Sequence, residues 1–235
     1  MHMFQKKHFF SVSPLPCKSP QGQKQRCFYT KRIAAQERIG PHQQQVICFL
    51  VGNLLGDGYM EKRNNATRMH IHMSSRNVEY INWLHIFFSE KGYCSTEKLK
   101  LSKQIGKNNK IYFSCKFRTF SFSSFNFLHD SFYVKEKKKV PEHIYNLLSP
   151  TAFAIWIMDD GGKSGAGIKI STESFCLQDL IKLQTVIFQK YKITCTVQRH
   201  KNNYVIYFPK NQLSCLSKIV KPYMIPCMYY KLNNY

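Results

Sequence analysis

Two short segments hold the residues best placed to do chemistry. Val51-Gly52-Asn53-Leu54-Leu55-Gly56-Asp57-Gly58-Tyr59 and Phe153-Ala154-Ile155-Trp156-Ile157-Met158-Asp159-Asp160-Gly161-Gly162 each drive a carboxylate out of an apolar run and stop it with glycine. Asp57 and Asp160 are 103 residues apart, about one small domain's worth of chain. The whole chain carries 13 acidic residues, and three of them stand here. The repeat implies a duplicated unit with one carboxylate per half meeting at a shared axis. Carboxylates placed this way can hold divalent cations, which activate water and stabilise charge on an attacked phosphodiester. Mg²⁺ takes few protein ligands and keeps waters, so one Asp per half suffices where DNA phosphates supply the rest. Alone, Asp57 before a glycine reads as an ordinary turn; its recurrence in the second segment favours function. Cutting both strands of a duplex calls for two such centres related by an approximate twofold.

Charge points to the same partner. A net charge of +22 and a pI of 9.7 steer the chain to polyanions and release counterions when phosphates bind. No apolar run is long enough to span a bilayer and no basic amphipathic helix stands apart, so a membrane partner is not expected. Nine scattered cysteines without a C-x-x-C pair read as reduced core residues of an intracellular protein rather than a disulfide framework or zinc ribbon.

Several elements must position the aspartates. Dense apolar residues from His42 to Leu55 predict a buried helix, with Gly52 and Gly56 on one face where a second helix could approach closely. Arg68 to Ser74 alternates strictly, with Met69, Ile71 and Met73 on one face and Arg68, His70, His72 and Ser74 on the other. A helix follows at about 77–91, with Tyr80, Trp83, Leu84, Phe87 and Phe88 on its apolar side. Strands are expected at 98–101 and 110–118, the second turning Ile111, Phe113, Cys115 and Phe117 inward and Lys110, Tyr112, Ser114, Lys116 and Arg118 outward. This is the pattern of an antiparallel sheet with one wet face. The wet faces of these strands carry no acid, which favours DNA over plain solvent. A short helix is expected at 122–132, then a basic linker, Val134 to Pro141.

The second half repeats the order. A helix at about 151–158 runs into Asp160, and a strand follows at 168–171. The helix at 176–191 offers Leu177, Leu180, Ile181, Leu183, Ile187 and Phe188 for burial. Strands at 193–199 and 203–208 and a helix at 211–220 complete it, with Thr196 and Gln198 facing outward. Each half thus reads αββαββα, and the fold class is α+β with two pseudo-symmetric units. The divisions are a basic arm over 1–40, a first unit over 41–133, a linker over 134–149 and a second unit over 150–235. The arm holds Pro14, Pro16 and Pro20 and eight Lys or Arg against the single acid Glu37. It reads as a DNA-brushing arm, with an organelle transit peptide as the alternative.

The two segments resemble the LAGLIDADG homing endonucleases, specifically the monomeric two-motif type encoded in organellar group I introns. The nine-residue motif falls on Leu50 to Gly58 and on Phe153 to Gly161. Two copies at domain spacing make the match specific, and it extends over roughly residues 40–235. The resemblance implies saddle-shaped antiparallel sheets on the major groove, with the motif helices packed at the centre. It implies Asp57 and Asp160 as catalytic metal ligands, with Gly56 and Asp159 as further candidates at the metal site; Asp159 could add a ligand or cap the turn, and a supporting role is favoured. It also implies an active-site lysine in the basic segment, on Lys138 with Lys137 and Lys139 competing for the register, and another on Lys231. Ile155 and Asp159 stand where the first motif has Gly52 and Gly56, so the motif helices are not equivalent.

The resemblance further implies a monomer that cuts a long asymmetric duplex site with Mg²⁺, Mn²⁺ substituting, and leaves short 3′ overhangs, promoting intron mobility in an organelle, the mitochondrion ahead of the chloroplast. Candidate DNA contacts are Arg68, His70, His72, Lys98, Lys100, Lys110, Tyr112, Lys116, Arg118, Lys163, Lys169, Thr196, Gln198 and Lys201, with Arg and Lys suited to guanine edges and phosphates. His70 and His72 could ligate metal, but base or phosphate contact is preferred. An RNA maturase that assists group I intron splicing is the alternative, alone or as a second activity. A DNA-binding module without catalysis is a third reading.

Overall fold

The computed structural model describes residues 34–106, 109–233 and 235. Most of the expected basic arm, and the transit-peptide alternative with it, lies outside the described residues. Of the described arm residues, Arg38 is held against the first unit and Ile39 is exposed. Arg38 donates to the Ser121 carbonyl at 3.3 Å and lies 5.0 Å from the Phe120 ring centroid. His42 bonds the Tyr93 hydroxyl at 2.8 Å and Ser124 at 2.7 Å.

The first unit comprises α1 (Gln44–Leu55), β1 (Tyr59–Arg63), β2 (Ala66–Ser74), α2 (Val78–Glu90), β3 (Leu101–Ile105), β4 (Ile111–Arg118) and α3 (Asn126–Phe132). A small hairpin, β5 (Tyr133–Val134) with β6 (Lys137–Lys138), and the short α4 (Ile144–Leu147) lead to the second unit. That unit comprises α5 (Pro150–Asp160), β7 (Gly161–Ser164), β8 (Gly167–Ser171), α6 (Leu177–Tyr191), β9 (Thr196–His200), β10 (Asn203–Phe208) and α7 (Lys210–Val220). Both sheets are antiparallel and share one strand order, β1-β2-β4-β3 and β7-β8-β10-β9. The αββαββα repeat expected from the periodicities is therefore the observed one.

The core is one apolar cluster that runs through both units. At its centre α1 packs on α5. Both helices are apolar nearly all round, as a helix covered on every side must be, and residues 48–55 and 152–159 are buried throughout. Ser149 caps α5 by accepting from the Ala152 amide at 3.1 Å, and Pro150 supplies the first helical residue. Gly52 sets the close approach. A Cβ there would lie 2.5 Å from Ile155 Cβ and 2.6 Å from the Ala152 carbonyl oxygen. At Gly56 a Cβ would lie 2.5 Å from Asp159 Oδ2. The expectation that these glycines admit a second helix holds, and the larger partners at both contacts come from α5.

Several expectations need correction. Residues 98–100 precede the strand, which runs from Leu101 to Ile105. Ile111 and Phe113 are exposed, 49% and 46%, because the β3–β4 hairpin reaches beyond the core that covers Cys115. On α6 the buried stripe is Leu180, Leu183, Val186 and Ile187, one step around from Leu177, Ile181 and Phe188, which face solvent. Strands β1 and β7 had no periodic signal of their own. The basic linker contains a hairpin whose two turn residues, Lys135 and Glu136, adopt φ of 45° and 64°. Such angles suit a two-residue hairpin turn but are costly for residues with a Cβ.

Candidate active site

Asp57 and Asp160 lie at the C-terminal ends of the packed helices α1 and α5. The α1 end closes by a Gly58 amide to Asn53 carbonyl bond of 2.8 Å, which turns the chain into β1. On α5 the chain passes straight from Asp160 into β7 at Gly161, where a Cβ would strike the Ile157 carbonyl. Burial pushes the Asp57 pKa up, against the opposing pull of Lys231, Lys138 and His72. Burial, and then the Asp57 charge, push Asp160 up to about 7. Both carboxylates are thus costly to ionise, Asp57 through burial and Asp160 through burial and the Asp57 charge, a cost that a bound cation relieves.

Two lysines repeat one contact. Lys138 Nζ donates to the Gly56 carbonyl at 2.9 Å and the Gly58 carbonyl at 2.7 Å, the residues flanking Asp57. Lys231 Nζ donates to the Asp159 carbonyl, the residue before Asp160, at 3.2 Å. Each therefore binds the peptide just ahead of its aspartate. Both ammonium groups have lowered pKa values because burial outweighs the neighbouring aspartates. Of Lys137, Lys138 and Lys139, it is Lys138 that reaches these carbonyls. Lys138 lies on β6, two residues beyond the positive-φ Glu136 of the turn.

Asp159, a candidate ligand for which a supporting role is favoured, is bonded within the helix junction. Its side chain is 6% exposed and turned into the helix junction. There Oδ1 accepts from the Tyr80 hydroxyl at 2.7 Å and Oδ2 accepts from the Asp57 amide at 3.2 Å. Burial and the Asp57 charge hold its pKa well above the ordinary carboxylate range. Tyr80 on α2 thus tethers α5, and α5 tethers the residue that carries the first site carboxylate. Tyr80 was not foreseen as the partner, since it counted as apolar helix face. The signal was its hydroxyl, which a buried tyrosine must satisfy. Gly56 offers the site its carbonyl, which Lys138 occupies.

The solvent-facing side of the first sheet gathers Arg68, His70, His72, Lys116 and Arg118, since His70 pairs with Arg118 and His72 with Lys116. That face is not free of acid. Glu61, on the unread strand β1, accepts from Arg68 Nε at 2.7 Å and contacts His70 Nε2 at 3.0 Å. The Arg68 and His70 hydrogen bonds, partly offset by burial, hold Glu61 down at about 2. Tyr59 stacks on His70 with ring centroids 4.7 Å apart.

Lys98 and Lys100 are exposed in the segment before β3. Lys110 Nζ lies 5.6 Å from the Tyr112 ring centroid. In the second sheet Lys169 Nζ lies 3.2 Å from His200 Nε2, and Gln198 donates to Thr196 at 3.1 Å. Lys201 sits in the β9–β10 turn at φ 55°. Lys163 pairs with buried Ile168, so it falls on the opposite side of the sheet from Lys169.

The donor set suits a hard divalent cation: carboxylates and backbone carbonyls, with no thiolate. Among the described residues no three His, Cys, Asp or Glu side chains converge to hold a metal alone. A cation bound at Asp57 and Asp160 would draw its remaining ligands from water and phosphate oxygens, as Mg²⁺ does.

Two packed helices present paired aspartates between two sheets of like strand order, a duplicated architecture. The chain belongs to the LAGLIDADG DNA endonuclease family, whose description matches residues 47–216. It is 37% identical over 217 residues to the cytochrome b mRNA maturase bI2 of Saccharomyces cerevisiae, across 88% of this chain and 51% of that protein. It is 39% identical over 157 residues to the intron-encoded endonuclease ai4 of Dictyostelium discoideum, across 63% of this chain and 96% of that protein. The fold superposes on the homing endonuclease I-WcaI bound to its DNA recognition sequence with a TM-score of 0.77 and 24% identity, covering 84% of this chain and 90% of that one. The chain spans about half the length of the yeast maturase.

Proposed function

We propose that this protein is a site-specific, divalent-metal-dependent endonuclease that cuts both strands of duplex DNA as a single chain. The observation that carries this reading is the repeated constellation of one aspartate at the end of each motif helix, each with a lysine bonded to the peptide before it. Phosphodiester hydrolysis forms a bond from water oxygen to phosphorus and breaks the P–O3′ bond. The water proton passes to solvent, and the 3′ oxygen takes up a proton. Metal bound at Asp57 and Asp160 would supply a polarised water and charge neutralisation at the phosphate. Lys138 and Lys231 fix the backbone that carries these carboxylates and add positive charge where negative charge develops. Tyr80 and Asp159 hold the Asp57 amide. The basic face over β2 and β4 and the polar face over β8, β9 and β10 would lie along the groove.

Mg²⁺ is the cation the donor set favours, with Mn²⁺ able to replace it. Relatives named for cytochrome b mRNA and for introns support an organellar setting, the mitochondrion foremost, and a role in intron mobility. The test is cleavage of a randomised duplex library with Mg²⁺, with chelator, and with Asp57→Asn and Asp160→Asn proteins. Mg²⁺-dependent double-strand cuts with short 3′ overhangs at one long site, lost in both variants, are expected. Tight binding without any cut by the wild-type protein would overturn the reading.

A second reading has its own support. The yeast relative is named a maturase, as is one of Debaryomyces hansenii at 38% identity over 199 residues. Assistance in splicing a group I intron RNA needs the basic surface but not the carboxylates. Splicing rescue by the Asp57→Asn, Asp160→Asn double variant would establish it as a separate activity.

A further inference from the structure

Strand register allows the two sheets to be compared position by position, counting from each aspartate. Tyr59, two residues after Asp57, pairs with His70, and Gly162, two residues after Asp160, pairs with Lys169. His70 then pairs with Arg118, and the next solvent-facing pair is His72 with Lys116. In the second sheet Lys169 pairs with Tyr207, and the next is Ser171 with Val205. The four ladder positions nearest the first centre are thus His, His, Lys and Arg. Their counterparts at the second are Lys, Ser, Val and Tyr.

Val205 is only 4% exposed, so it offers nothing to a phosphate. The neighbouring charges differ in the same sense. His72 acts on Asp57, whereas the acid Glu173 is among the groups that act on Asp160. Each helix end has a lysine bonded to the peptide before its aspartate, Lys138 with one further bond to the Gly58 carbonyl, so a buried ammonium stands at both centres and the larger difference lies in the sheets.

We infer that the two centres are unequal in a fixed direction: the strand served by Asp57 is cut first, with His72 and Lys116 as the residues that favour it. This rests on the endonuclease reading above. Cationic and hydrogen-bonding groups beside one reacting phosphate stabilise its transition-state charge, and the other phosphate lacks them. The Asp160 centre cuts its own strand independently and more slowly, so a duplex nicked in the first strand accumulates before the second cut.

The experiment uses the duplex selected by binding, with its two strands carrying different 5′ dyes, and full-length protein in excess with Mg²⁺ so that affinity does not enter. Wild type is expected to accumulate a duplex nicked in one defined strand. The double variant His72→Ser, Lys116→Val, which copies the second sheet, should slow that strand at least about tenfold and leave the other strand's rate in place. Should the double variant not fold, Ser171→His provides the converse test by speeding the later strand. Equal rates for both strands in wild type would overturn the inference. So would a double variant that slows both strands alike, or a Ser171→His protein with unchanged strand preference. A wild-type protein that binds but cuts neither strand would instead refute the endonuclease reading, and the inference with it.

Discussion

Asp160→Asn should stabilise the metal-free protein while it destroys cutting. Burial and the Asp57 charge lift the Asp160 pKa from 3.8 to about 7, so the native state holds this proton more tightly than the unfolded chain. Below about pH 4 both states are protonated and the group imposes no penalty. Between about pH 4 and 7 the unfolded chain ionises while the native state resists, and stability falls; above the native pKa the loss is complete. About three pH units at roughly 1.4 kcal/mol each give on the order of 4 kcal/mol, part of it shared with Asp57 through their mutual repulsion. Asparagine cannot ionise, so its profile lacks this decline. At about 2–4 °C per kcal/mol for a chain of this size, the variant should melt several degrees above wild type at pH 8 in chelator and alongside it at pH 4. Mg²⁺ should narrow the gap, because the cation binds the ionised carboxylate of wild type and stabilises only that protein. Thermal melts of both proteins across this pH range, with and without Mg²⁺, provide the measurement. An asparagine variant that melts below wild type at pH 8 in chelator, or a difference that ignores pH, would refute the reasoning.

Gly52→Ala places a methyl 2.5 Å from Ile155 Cβ and 2.6 Å from the Ala152 carbonyl, so the central helices must part, at a cost of about 1–3 kcal/mol or more in denaturant melts. A variant as stable as wild type would show that α1 and α5 do not meet there. Tyr80→Phe removes the donor to Asp159 Oδ1 and should cost about 1–3 kcal/mol, with slower cutting as the Asp57 amide loses its fixed partner. Unchanged stability and unchanged cleavage would deny the tether. Lys138→Met should leave duplex binding in Ca²⁺ nearly intact and slow cleavage by about a hundredfold, whereas Lys137→Met should cut normally. The reverse ranking would move the lysine assignment by one position.

Periodicity was legible where one face of an element is buried and the other is wet. Strand β2 and helix α2 were readable for that reason. It failed where burial depends on how far the neighbouring layer extends. Ile111 and Phe113 alternate like core residues, yet the hairpin carries them past the core. It failed again on α6, where two overlapping apolar stripes compete and only packing chooses Leu180, Leu183 and Ile187 over Ile181 and Phe188. The aspartates were visible because the motif is duplicated. Glu61 was invisible because β1 is short and its side chains, Tyr-Met-Glu-Lys-Arg, lack alternation. The contact of Lys138 depends on a hairpin with no glycine in its turn, so no local rule announces it.

The junction of the motif helices also bears on why the two units share one chain. Gly52 faces Ile155, and Gly56 faces Asp159. A symmetric pair of identical units would have to place like against like. Two glycines at the second contact would leave the helix ends without the carboxylate that holds the Asp57 amide. Two aspartates would crowd a pair of buried charges into space that admits one side chain, since even a Cβ at position 56 would lie 2.5 Å from Asp159 Oδ2. The observed solution gives the small residue to one helix and the polar anchor to the other. A fused chain can encode that choice and a homodimer of one unit cannot. The inequality of the two helices therefore makes the two halves of the chain not interchangeable, and it allows the sheets above them to diverge in charge.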